Sequence, residues 1–161
     1  MTRYRVVDTN VLVVANGRDT HADAACQLAC LRLLIDSREN AILILDSLGL
    51  ILREYRNVLR PTGEPGSGDA FFKYLLDFQF SGAHCLIANI SVDRATDEID
   101  QFPKDADLIG FDRDDRKFVA AAIASGVRCS IQNAVDTDWR DYLTPLTRNG
   151  LCIRQLCPQH M

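Results

Sequence analysis

Short solid apolar runs alternate along this chain with longer stretches in which apolar residues recur every three or four positions. The first pattern predicts buried strands and the second predicts helices. Residues 4–8 read as a strand, and 11–15 carry the apolar character on into a loop or helix start. Residues 21–39 have helical spacing, with Ala22, Cys26, Ala29 and Leu33 on one stripe. A second strand covers 41–45. Asp46 or Ser47 can cap the helix after it, whose stripe is Leu48, Ile51, Leu52, Tyr55, Val58 and Leu59. Pro61 ends that helix, and TGEPGSG is the one clear flexible loop. A helix over 69–80 and a strand over 84–90 follow. The polar stretch 93–110 has no clear period, and one short helix is expected before Pro103. Asp112 or Asp114 caps a helix running to Gly126, a natural stop. The remaining expectations are a strand over 127–131, a short helix over 139–148 and a last strand over 151–157.

Strands that carry solid apolar runs and alternate with helices predict an α/β domain: a mainly parallel sheet of about five strands with helices on both faces. The chain of 161 residues is read as one domain, with 61–68 as its loop and 158–161 as a tail. In such sheets, sites form beyond the carboxyl ends of the strands.

An apolar fraction of 47% and a charged fraction of 25% are those of a globular chain. The net charge of −4 supplies no global attraction to nucleic acid, although bound cations can neutralise carboxylates locally. The opening MTRYRVVDTN has no signal-peptide architecture, and no apolar run reaches the roughly 18 residues of a membrane span, so a cytoplasmic protein is expected. The six cysteines (Cys26, Cys30, Cys85, Cys129, Cys152 and Cys157) form no CxxC pair and sit in apolar runs. They are expected to be reduced small hydrophobes rather than disulfides or zinc ligands.

Four acids stand out by their settings. Asp8 ends the first strand, Glu54 lies on a helix, Asp115 opens another helix, and Asp136 follows a strand. No histidine or lysine chemistry accompanies them: His21, His84 and His160 sit where structural or solvated roles suffice. Glu54 lies at the edge of its stripe, where pairing with Arg53 or Arg56 would also account for it. Asp115 shares a face with Phe118, Val119 and Ala122, and a carboxylate there needs a partner; a helix-capping role shared with Asp112 and Asp114 is the alternative. Asp8-Thr9-Asn10 and Asp136-Thr137-Asp138 could each be simple turns or caps. Carboxylates gathered at one end of a sheet suit a hard divalent cation and point to phosphodiester hydrolysis.

With these residues in place, the chain resembles the PIN-domain ribonucleases, toxin-type members among them. VVDTNVLV resembles the first family motif, ILREYRNVL the second, DRDDRKFVAAAIASG the third and IQNAVDTDW the fourth. The resemblance runs from about residue 4 to residue 157. The interval from the third acid to Gly126 selects Asp115 over Asp112 or Asp114. Asn133-Ala134-Val135 lengthens the fourth turn, so Asp136 and Asp138 both remain candidates for the last ligand. The resemblance implies that Asp8, Glu54, Asp115 and Asp136 hold Mg²⁺ or Mn²⁺ for RNA cleavage, with Thr9, Asn10 and Asn133 in support. It also implies a homodimer, with an antitoxin protein as a candidate partner; DNA is not excluded as a substrate.

Arg53, Arg56, Arg60, Arg113, Arg116 and Lys117 flank two of the motifs and form either a phosphate-contacting rim or ordinary solvated faces. Trp139 could stack a base, though a packing anchor is the plainer role. A haloacid-dehalogenase-like phosphatase would also start from an acid at the end of strand one, but its second acid would fall where Asn10 stands. No GxGxxG follows the first strand, which argues against a dinucleotide site. The remaining alternative is a PIN-like binding module without turnover.

Overall fold

The computed structural model describes residues 1–19 and 21–160. Its centre is a five-stranded sheet, parallel throughout, in the order β3-β2-β1-β6-β7. The strands are β1 (Arg3–Val7), β2 (Ala41–Asp46), β3 (Cys85–Ala88), β6 (Cys129–Asn133) and β7 (Ile153–Gln155). The helices are α1 (Thr9–Ala15), α2 (Ala24–Asn40), α3 (Leu50–Val58), α4 (Ser67–Phe78), α5 (Arg116–Ala124), α6 (Asp138–Asp141) and α7 (Leu143–Arg148). Both sides of the central strands are covered, which is why β2 reads as an apolar run up to Asp46. α1, α2 and α4 pack on one another, while α5 lies against β1, β2, β3 and β6. Crossovers carry the chain from β1 outward to β2 and β3, and then back past β1 to β6 and β7. The direction of travel therefore reverses between β1 and β6, and the crevice of this sheet opens there, beyond their carboxyl ends.

Of the two readings of 11–15, loop or helix start, the second holds: these residues belong to helix α1, which Asp8 caps from the strand end. Several expectations are corrected. The stretch 93–110 holds no α-helix; it forms a hairpin of β4 (Val92–Asp93) and β5 (Glu98–Ile99), then a short 3₁₀ turn at Ala106–Leu108. The expected helix over 139–148 is two, α6 and α7, broken at Tyr142. Leu48 and Val58 are exposed, so the buried stripe of α3 narrows to Ile51, Tyr55 and Leu59. The TGEPGSG loop is held at its ends: buried Asp69 accepts the Arg60 and Gly66 amides at 2.6 and 2.9 Å and pairs with Arg18.

The cysteines also depart from expectation. Cys26 on α2 and Cys157 after β7 form a disulfide across 131 residues of sequence. That partnership arises from packing between distant elements, so no local spacing announces it. Cys30, Cys85, Cys129 and Cys152 remain thiols, and burial pushes Cys30 up to about 12. Among the described residues no helix is long and apolar enough to cross a membrane. The expected tail closes as a 3₁₀ turn at Pro158–His160, and Met161 lies outside the described residues.

Candidate functional site

β1 and β6 pair in register from Tyr4–Cys129 to Val7–Gln132, and the Asp8 amide donates to the Gln132 carbonyl at 3.0 Å. The next residues of the two strands, Asp8 and Asn133, therefore emerge side by side. Asn10 fastens this end: its Nδ2 donates to Asn133 Oδ1 at 2.8 Å, and its Oδ1 accepts the Ala134 amide at 2.8 Å. Asn133 in turn donates to the Asp136 carbonyl at 2.8 Å and to Gln155 at 2.6 Å. Both amides thus shape the 133–136 turn, and that turn carries the Asp136 carboxylate toward Asp8.

Asp115 arrives from the other direction. The N-cap position of α5, expected at Asp112 or Asp114, falls on Asp115, yet its side chain makes no capping hydrogen bond, so the alternative capping role is not the one it plays. The carboxylate points inward, and its Oδ2 is buried with no hydrogen-bond partner. Asp8, Asp115 and Asp136 each present an oxygen within 4.8 Å of the others. Asp138 does not join this trio; it forms a second group with Asp112 and Asp115, so Asp115 is common to both. Asp136 Oδ1 accepts the Asp138 amide at 2.9 Å, which holds the fourth segment together.

Glu54 lies beside this group rather than within the trio. Thr9 Oγ1 donates to its Oε1, and Lys117 Nζ pairs with its Oε2. Arg53 and Arg56, the partners considered from sequence, are exposed on α3 and take no part. The rest of the basic rim is largely engaged within the chain: Arg113 and Arg116 both pair with Glu98. A groove of about 670 Å³ runs alongside, lined by Thr9, Arg53, Glu54, Asn57, Arg113 and Lys117.

The electrostatics follow from crowding. Burial pushes the Asp8 carboxyl above its ordinary value, as do the charges of Asp136 and Glu54, while bonds from the Asn10 amide and the Trp139 indole pull the other way. Asp115 is also raised, first by burial and then by the charges of Asp8, Asp136 and Asp112. Asp138 is raised by burial, Asp136 and Asp112. Carboxylates forced together this way require protons or a cation. The donors are all carboxylate oxygens, one of them buried and unpartnered, with no imidazole or thiol among them; this set fits Mg²⁺ or Mn²⁺.

Sequence reasoning missed two contacts. Trp139, fully buried, donates its indole N–H to Asp8 Oδ2 at 2.5 Å, so the packing anchor is also a carboxylate partner. Lys117 was placed on a rim but lies at the centre's edge on Glu54. Neither pairing has a local trace, although a lysine two positions after Asp115, at the end of a helix that disfavours cations, is the kind of signal that could have raised the second. His84 hydrogen-bonds Tyr74 at 3.0 Å, and His160 lies 3.2 Å from Asp23. No family model matches the chain, and no curated protein or solved structure matches it either.

Proposed function

We propose that this chain is a PIN-like, Mg²⁺- or Mn²⁺-dependent endoribonuclease that hydrolyses phosphodiester bonds at the carboxyl ends of β1 and β6. The observation that carries the reading is the convergence of Asp8, Asp115 and Asp136 within 4.8 Å, with a buried, unpartnered oxygen on Asp115. A bound divalent cation would supply charge to stabilise the transition-state phosphorane and would acidify the attacking water. Asp8, Asp115 and Asp136 would hold that cation, releasing the protons that Asp8 and Asp115 otherwise retain. Trp139 and the Asn10 amide fix the Asp8 carboxylate, and the Asn10–Asn133 clasp fixes the turn that presents Asp136. Asp138 and Asp112 form a second acidic group that shares Asp115 with the trio.

Asn10 weighs against the phosphatase reading, since its side-chain amide is spent on Asn133 and Ala134 and no second acid stands in its place. Toxin-type activity, an antitoxin partner, homodimerisation and a cytoplasmic site belong to the same proposal and rest on the sequence resemblance alone.

The test is cleavage of structured and unstructured RNA, with single-stranded DNA and a small phosphomonoester alongside, in Mg²⁺, Mn²⁺ and chelator. Asp8→Asn and Asp115→Asn should each abolish RNA cleavage while the circular-dichroism spectrum stays that of the wild type. Undiminished cleavage by either variant would reject the assignment, and a folded wild type inactive with both metals would favour a binding module.

A further inference from the structure

We infer that Lys117 is a built-in cation filling the Glu54 side of the centre, so that Glu54 is not a metal ligand and a divalent ion is held by Asp8, Asp115 and Asp136 without it. The inference rests on the metal-nuclease reading and departs from it in removing Glu54 from the ligand set.

Both Glu54 oxygens already have partners, the Thr9 hydroxyl on one and the Lys117 ammonium on the other. The ammonium also donates to the Asp114 carbonyl and lies 5.2 Å from the centre of the Phe118 ring. With its side chain only 11% exposed, Lys117 is held from several directions rather than ranging over the surface. Its location in the chain is otherwise unfavourable. It stands in the first turn of α5, the end of a helix that favours anions, and it is largely removed from water. Glu54 makes that placement tenable, and Lys117 in turn spares the centre a fourth uncompensated carboxylate. A divalent ion on Glu54 would have to displace the ammonium into the same crowded space.

The arrangement also has a use. An ammonium carries three N–H donors, and two are committed here, to Glu54 and to the Asp114 carbonyl. Lys117 lines the groove beside the acidic trio. Its third N–H is available to a phosphoryl oxygen of a strand lying in that groove. Lys117 thereby supplies a fixed positive charge on the wall of that groove.

Mn²⁺ binding, measured by titration calorimetry and by the electron paramagnetic resonance signal of free Mn²⁺, tests this without reference to turnover. Glu54→Gln should bind Mn²⁺ within about twofold of the wild type, whereas Asp115→Asn should bind at least about tenfold more weakly. Lys117→Met, which keeps most of the apolar stem without the ammonium and frees Glu54, should bind one ion more than the wild type. Lys117→Arg should keep the wild-type number. A loss in Glu54→Gln as large as that in Asp115→Asn would return Glu54 to the ligand set and overturn the inference, leaving the metal centre intact. Wild-type stoichiometry in Lys117→Met would equally overturn it. A wild type that binds no Mn²⁺ at millimolar concentration would instead remove the metal-nuclease reading, and the inference with it.

Discussion

Asp8 is 3% exposed yet keeps two donors, the Asn10 amide at 3.1 Å and the Trp139 indole at 2.5 Å. A buried carboxylate that must become an anion to hold a cation depends on such donors. Hydrogen bonds to charged groups contribute about 1.5–3 kcal/mol, most of it lost when one partner is removed in a closed site. Trp139→Phe separates that bond from packing, because the phenyl ring can still meet Phe111, whose ring lies 5.2 Å away and edge-on, while the N–H is gone. The variant should fold, bind Mn²⁺ roughly 10- to 100-fold more weakly at neutral pH, and need a higher pH for half-maximal binding. Unchanged affinity across pH would reduce Trp139 to a packing residue. Its packing role was readable from its type and place; the bond was not, because it joins positions 131 apart through the fold. Asp8 and Asp115, in contrast, were legible from local setting alone: one at the end of a solid apolar run, the other on the buried face of its helix.

Elements were legible where one period governs them. β2 appears as a continuous apolar run because neighbours cover both of its faces, and the stop of α5 appears because Gly126 adopts a left-handed φ of 66°. Helix starts shifted by a few residues because side-chain caps decide them. Asp23 takes the Cys26 amide at 2.7 Å and so delays α2, while Asp46 accepts the Leu48, Leu50 and Ile51 amides at 3.0, 2.8 and 2.8 Å. The hairpin of β4 and β5 escaped notice because two-residue strands carry no period, and its turn rests on Asp97 at a φ of 58°. The disulfide escaped for a different reason: it ties α2 to the segment after β7, and contact between these elements is a property of the assembled sheet. Closing so long a loop restricts the unfolded chain, and such bridges typically contribute about 2–4 kcal/mol. Reduction, or Cys157→Ser, should therefore lower the melting temperature by roughly 5–15 °C. Under denaturing, non-reducing conditions the protein should show four thiols, and six after reduction. Six thiols before reduction, with a melting temperature indifferent to reductant, would mean that the bridge does not form.

Across the whole molecule the acidic centre works against the fold that assembles it. In the folded chain Asp8, Asp115 and Asp138 all hold their protons above the ordinary aspartate value of 3.8. Above that pH the unfolded chain has released protons that the folded chain still binds, so this centre's contribution to stability falls as pH rises toward and beyond neutrality. Other carboxylates act in the opposite sense: Asp36, beside Arg5, and Asp69, hydrogen-bonded to the Arg60 and Gly66 amides, are lowered and favour the fold above the ordinary range. A bare pH profile would mix the two groups, and a metal difference separates them. A cation replaces the retained protons, so its affinity should increase with pH. At a hundredfold excess over Kd it should add about 2.7 kcal/mol, or roughly 5–10 °C in melting temperature. Melting curves with and without Mn²⁺ should accordingly separate widely at pH 8 and little at pH 5. Asp115→Asn should melt higher than the metal-free wild type at pH 8, because it removes the cost of keeping a carboxyl protonated in the crowded trio, and should lose most of the response to Mn²⁺. A metal response that is equal at both pH values, or that survives in Asp115→Asn, would place the cation elsewhere on the protein.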